Sequence, residues 1–152
     1  MRKMTADDLA KKYNLQPHEE NGAYFERHYI APKNIRAASG AIYYYLAAKE
    51  KAQFHQIDCD EYWAYVLGSP LELWLIDGTK KISRQILGIE KNAEPLIYVP
   101  QGTIFGARHL DGEEDGTFLS CITVPRFDYK GWKLFSKEEM LKISADVAKF
   151  YE

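Results

Sequence analysis

The stretch Phe54-His55-Gln56-Ile57-Asp58-Cys59-Asp60-Glu61-Tyr62-Trp63-Ala64-Tyr65-Val66-Leu67-Gly68 holds the densest mixture of polar and aromatic side chains in the sequence. Successive strand residues point to opposite faces, so a strand over 61–67 puts Glu61, Trp63, Tyr65 and Leu67 on one face. Trp63 and Leu67 favour burial, and Glu61 would then point inward with them. A carboxylate among buried aromatics is costly unless paired, coordinated or protonated. Alternation leaves a second placement open, with Glu61 at the frayed start of the strand and in water.

Outward from this stretch the pattern repeats. Short apolar-aromatic runs occupy 23–30, 41–48, 52–57, 62–67, 71–76, 81–87, 96–99, 104–110 and 118–124. Brief breaks separate them, among them Gly68-Ser69-Pro70, Asp77-Gly78, Pro100-Gln101-Gly102 and Asp111-Gly112. Asp77-Gly78 reads as a hairpin, with Gly supplying a positive φ. Many short strands without intervening helices predict an all-β domain of antiparallel sheets, a sandwich or a closed barrel.

The ends change period. Thr5 can cap a helix to Tyr13, with Asp7 and Asp8 at its positive end. Ser136-Lys137-Glu138-Glu139 has the capping-box pattern, and Met140, Ile143, Val147 and Phe150 follow at helical spacing. A C-terminal helix over 137–151, packed outside the sheets, is the expectation.

The 152 residues make one domain with 46% hydrophobic residues and a net charge of -2. Nothing there argues for a nucleic-acid partner or an anionic membrane surface. The basic N-terminus lacks a signal-peptide core, and no apolar run approaches the ~20 residues that span a bilayer. Cys59 and Cys121 lack metal spacing and read as two buried thiols, so a cytoplasmic location is expected. Eleven Tyr, seven Phe and three Trp favour sheets and suit the lining of a ligand pocket.

The order and spacing of several segments resemble the cupin superfamily, in its small single-domain branch of unknown function. They are Leu15-Gln16-Pro17-His18-Glu19 with Gly22-Ala23-Tyr24-Phe25, Ala41 to Leu46, Phe54-His55 with Asp60-Glu61-Tyr62-Trp63, and Gly68 to Leu73. Val99-Pro100-Gln101-Gly102 and Cys121-Ile122-Thr123-Val124-Pro125-Arg126-Phe127-Asp128 complete the set, which spans residues 15 to 134. The resemblance implies a double-stranded β-helix, or jelly roll, with a small-molecule ligand and often a metal in the barrel mouth. Glu61 and Gly68 match the superfamily's first motif, and His55 is the one His in its neighbourhood. Pro100 and Gly102 match the second motif, whose His position holds Phe105. The branch also differs here at Gln56, Ala64 and Glu26-Arg27.

Two matched ligands, His55 and Glu61, fall short of the three that a stable catalytic metal site wants. A weak divalent transition metal, completed by His109 and water, is the contrary case; the expectation is no cofactor. The remaining residues suit metal-free proton transfer, as in cupin-type sugar epimerases, with His55 as base, Tyr65 or Tyr43 as acid and Glu61 orienting them. Tyr43, Tyr45, Gln56, Trp63, Phe105 and His109 are the expected ligand contacts. An isomerase, epimerase or lyase on a polar carbonyl compound is the first reading. A non-catalytic binding module or a structural homodimer with a degenerate metal site is the alternative. A homodimer is expected in either case, because the aromatic surface exceeds what one barrel interior can hide.

Overall fold

The computed structural model describes residues 2–28 and 35–152. Their strands are β1 (Gln16–Pro17), β2 (Ala23–His28), β3 (Gly40–Leu46), β4 (Ala52–Gln56), β5 (Asp60–Gly68) and β6 (Leu71–Ile76), followed by β7 (Ile82–Leu87), β8 (Leu96–Val99), β9 (Ile104–His109), β10 (Thr117–Val124) and β11 (Lys133–Leu134). The expected run 23–30 ends in Tyr29 and Ile30, which lie outside the described residues. One sheet has the order β1-β2-β3-β10-β5-β8 and the other β11-β4-β9-β6-β7, with antiparallel strand pairs throughout. This is the jelly roll the sequence pointed to.

The inward rows of the two sheets form the core, which includes Leu46, Trp63, Leu71, Leu73, Phe105 and Leu119. Each side chain of this size contributes about 1.5–3 kcal/mol by leaving water. A second cluster lies outside the second sheet, where Phe54, Trp74 and Ile76 meet Met140, Val147 and Phe150 of the C-terminal segment.

Helix α1 (Ala6–Lys12) covers the outside of the first sheet. Thr5 and Asp8 close a reciprocal capping box. Tyr13 follows the helix and packs its ring 4.7 Å from that of Tyr43. Ala6, fully buried, sits over Gly68. Gly68 has φ +107°, and a Cβ there would lie 2.1 Å from the Gly116 carbonyl oxygen. Only glycine fits at this close approach.

Three local expectations are corrected. The C-terminal helix stops after α2 (Lys137–Ile143), because Ser144 is extended (φ -158°, ψ 128°) and restarts a 3-10 segment over Ala145–Tyr151. Its hydroxyl accepts from the Asp146 N–H, an alternative to continued helix that Ser side chains offer readily. The β6–β7 turn takes its positive φ at Lys80 (66°) rather than Gly78, with Asp77 Oδ1 accepting from the Thr79 and Lys81 N–H groups. Finally, Leu67 does not share the face of Glu61, Trp63 and Tyr65. Leu119 pairs with Tyr65 but Phe118 with Leu67, so a bulge at Val66 turns Leu67 outward beside Phe118.

Candidate functional site

The inward rows turn polar toward one end of the barrel. Glu61 on β5 lies level with Thr123 on β10 and Val99 on β8. His55 on β4 pairs with Phe105 on β9, whose ring centroid is 4.2 Å away. Between the sheets at this end is a cavity of about 250 Å³. Its deep surface includes His55, Glu61 and Cys121, and its rim includes Tyr24, Phe127 and Tyr129.

Two further lining residues, His18 and Glu20, come from the loop ahead of β2. Asn21 and Gly22 turn that loop with φ of 78° each, and the His18 N–H closes it on the Gly22 carbonyl at 2.9 Å. Glu20 is thereby carried into the barrel, where one of its oxygens meets His55 Nε2 at 3.0 Å. The Nδ1–H of His55 donates to the Gln53 carbonyl at 2.7 Å. Burial pulls the His55 pKa down, but Glu20 and the Gln53 carbonyl outweigh it and leave it raised. Burial likewise pushes Glu20 up, and the charge and hydrogen bond of His55, with His18 and Trp132 acting the same way, together more than reverse this. The two side chains form a buried imidazolium–carboxylate pair. The buried indole N–H of Trp132 lies close enough to favour the Glu20 carboxylate without closing a hydrogen bond of good geometry.

Glu61 is 7% exposed and belongs to no ion pair among the described residues. Burial raises its pKa to about 7, and the neighbouring Glu20 acts in the same direction. His55, the Trp63 indole N–H and the Cys121 thiol oppose that shift only in part. His18 is held below its usual pKa, chiefly by burial. Its Nδ1 accepts the Glu20 backbone N–H at 3.2 Å, so the ring is a neutral imidazole there. The floor therefore places a carboxyl group that exchanges its proton near neutrality beside a fixed ion pair.

The structure brings together His55, Glu61, Trp63 and Phe105 and separates the other candidates from them. Trp63 and Phe105 pack beneath the polar floor, with ring centroids 5.9 Å apart. Tyr65 points inward but toward the opposite end, and its hydroxyl donates to the Gly68 carbonyl at 2.6 Å. Tyr43 and Tyr45 face outward under α1, where Tyr43 contacts Tyr13 and Phe118 and Tyr45 bonds Asp7. The inward tyrosine of that strand is Tyr44, whose hydroxyl donates to the Asn21 carbonyl at 2.7 Å. Gln56 ties down the β8–β9 turn through the Gly102 carbonyl, 2.7 Å away. His109 lies at the far end of β9, donating toward the Ala47 carbonyl at 2.8 Å, in a separate depression.

Sequence reasoning missed His18, Glu20 and the rim aromatics Tyr24, Phe127 and Tyr129. The signal available was His18-Glu19-Glu20 beside a turn, and it gives no hint of a partner 35 positions away.

The donor set does not fit a metal held by the protein alone. Both ring nitrogens of His55 are occupied, and Phe105 presents hydrocarbon where the superfamily's second motif has its His. Among the described residues no group of three or more His, Cys, Asp or Glu is placed to hold a metal ion. Cys59 and Cys121 are buried free thiols. No helix of the described residues is long and apolar enough to cross a membrane.

Comparison with known proteins agrees with this architecture. The family model described as cupin superfamily (DUF985) matches residues 7–135, and the chain belongs to that family. A protein of Shewanella oneidensis superposes with TM-score 0.86 and 27% identity, over 95% of this chain and 92% of its own. A hypothetical protein from Leishmania major does so with TM-score 0.80 and 27% identity, over 94% of each chain. Oxalate decarboxylase from Bacillus subtilis shares the fold at TM-score 0.62 and 14% identity, over 89% of this chain and 35% of the decarboxylase. Among curated proteins none matches this sequence.

Proposed function

We propose that this cupin binds a small polar organic molecule in the barrel cavity and exchanges a proton with it through Glu61. The observation that carries the reading is a buried carboxyl group lining an open cavity, outside any ion pair among the described residues, with a pKa near 7. A group poised there can give or take a proton at neutral pH, which is what general acid–base catalysis needs. His55 is better suited to hold Glu20 and polarise the floor than to act as the base, since the imidazolium has no lone pair to offer. Isomerisation or epimerisation next to a carbonyl is the reaction class that such metal-free proton transfer serves. The cavity volume of about 250 Å³ supports a ligand smaller than drug-sized.

Solvent deuterium wash-in, followed by NMR on a panel of small hydroxy-aldehydes and hydroxy-ketones, tests this. Protein-dependent exchange that Glu61→Gln abolishes, with ligand still raising the melting temperature of the variant, is the expected result. Exchange that survives Glu61→Gln removes Glu61 from the role.

We further infer a homodimer formed through the outer face of β5 and β8. Tyr62 pairs with Tyr98 across these strands, and Leu96 and Tyr98 are 55% and 46% exposed. The two buried thiols suit a reducing, cytoplasmic compartment.

A further inference from the structure

The charges around the cavity are unbalanced. Among the described lining residues, the carboxylates Glu20, Glu26, Glu61 and Asp128 face the Arg126 guanidinium and the His55 imidazolium. Both cations already have partners. Arg126 grips Glu26 through two nitrogens at 2.9 and 3.0 Å, and His55 holds Glu20 at 3.0 Å. Glu61 therefore ionises in the barrel without a cation of its own.

The rim above it is aromatic. Phe127 and Tyr129 stand edge to face, with centroids 4.8 Å apart and planes at 82°. Tyr24 and His18 meet in the same manner, at 5.2 Å and 70°. Ring faces carry negative charge density and attract a cation that has shed part of its water. An anion entering here meets carboxylates and ring faces. A neutral ligand leaves the Glu61 carboxylate uncompensated.

We propose that the occupant of this cavity carries a positively charged nitrogen, a substituted ammonium group, held between Glu61 and the faces of the rim aromatics. The proposal rests on the cavity being the binding site and adds the charge of what it binds. Such a ligand supplies the missing countercharge, so binding drives Glu61 to its carboxylate form and releases a proton. The groups that face Glu61 are His55 from β4, Glu20 from the loop before β2, Tyr44 from β3, Cys121 from β10, Cys59 just ahead of β5 and Trp63 of its own strand.

Three probes of nearly equal shape separate charge from size: choline, 3,3-dimethylbutan-1-ol and 3,3-dimethylbutanoate. In titration calorimetry at pH 8, choline binds at least ten-fold more tightly than the alcohol, and the carboxylate gives no heat of binding. Choline affinity rises several-fold from pH 6 to pH 8, and at pH 7 the heat depends on the ionisation enthalpy of the buffer. Both effects vanish in Glu61→Gln. Tyr129→Leu, a change at the rim, weakens choline by about three- to thirty-fold and keeps the pH response. Equal affinity for choline and the alcohol, preference for the carboxylate, or no choline binding at millimolar concentration overturns the charge assignment. The proton-exchange reading survives any of these results if deuterium wash-in still depends on Glu61.

Discussion

The two ends of the barrel are built from the same strands and obey opposite rules. Along β3 the inward row runs from Gly40 and Ile42 to Tyr44 and Leu46, and along β5 from Glu61 to Trp63 and Tyr65. On β4 it runs from His55 back to Ala52. At the apolar end, Leu46, Ala52, Leu71, Leu73, Leu87, Ala107 and Leu119 are all fully buried. There each side chain stabilises the fold by leaving water, and any hydrocarbon of the right shape would do. At the polar end, Glu20, His55 and Glu61 are buried almost as deeply; Glu20 and His55 stabilise only through each other, and Glu61 has no ion-pair partner among the described residues. One end holds the barrel together and the other uses that stability to keep a carboxyl group in an environment it would not choose.

The largest effect sharpens that contrast at the apolar end. Leu73→Ala should lower unfolding free energy in urea by about 4 kcal/mol, through lost transfer energy and the cavity left behind. A loss below 1 kcal/mol would mean that the end is not close-packed. At the polar end, Glu20→Ala should cost about 3 kcal/mol at pH 7, because it strands the His55 charge in the barrel. NMR titration of His55 should show its pKa falling in that variant; an unchanged value would break the ion pair assigned here.

Glu61 provides a smaller effect with its own sign. A folded pKa of about 7 against an ordinary 4.5 means that the native state keeps a proton which the unfolded chain has lost. Stability is then full below pH 4.5, declines as pH rises, and has lost about 3 kcal/mol above pH 7. Glu61→Gln should flatten this part of the stability–pH curve, read as melting temperature between pH 5 and 8. His55 contributes in the same direction from its raised pKa, so a residual decline on the alkaline side is expected in the variant. His18 and His109, both lowered chiefly by burial, act oppositely and add stability as pH rises toward 6.5. The assignment for Glu61 is therefore read from the difference between wild type and Glu61→Gln, and a difference that does not decline between pH 5 and 7 would refute it.

The smallest effect on stability lies outside both ends. Tyr98→Lys, on the exposed face of β8, should change unfolding free energy by less than about 0.5 kcal/mol. It should nonetheless make the proposed dimer monomeric in light scattering. A monomeric wild type at micromolar concentration would remove that interface.

Most strands were legible because period-two runs and turn residues are local signals. Site residues were legible only where a strand's phase was clear. Trp63 and Leu67 suggested the direction of Glu61, although the bulge at Val66 had already turned Leu67 to the other face. In Tyr43-Tyr44-Tyr45 the side chains are identical and their phase is silent, so the sequence does not distinguish the outward pair from the inward Tyr44. Glu20 was invisible for a different reason. It sits in a loop, and its value comes from His55, a contact that exists only once the chain has folded. His109 and Gln56 show the converse, since polar side chains at strand ends found backbone partners and became structural.

The place of β10 in the first sheet, between β3 and β5, has a consequence for how the protein is made. Both neighbours precede it in the sequence, and some seventy residues separate Leu46 from its partner Thr117. Pairings this distant make β proteins fold in milliseconds to seconds rather than microseconds. During synthesis at ~5–20 residues per second, β3 and β5 leave the ribosome several seconds before the strand that joins them. Until then each carries an open hydrogen-bonding edge and an uncovered apolar row, and the nascent chain is most exposed to aggregation in that interval.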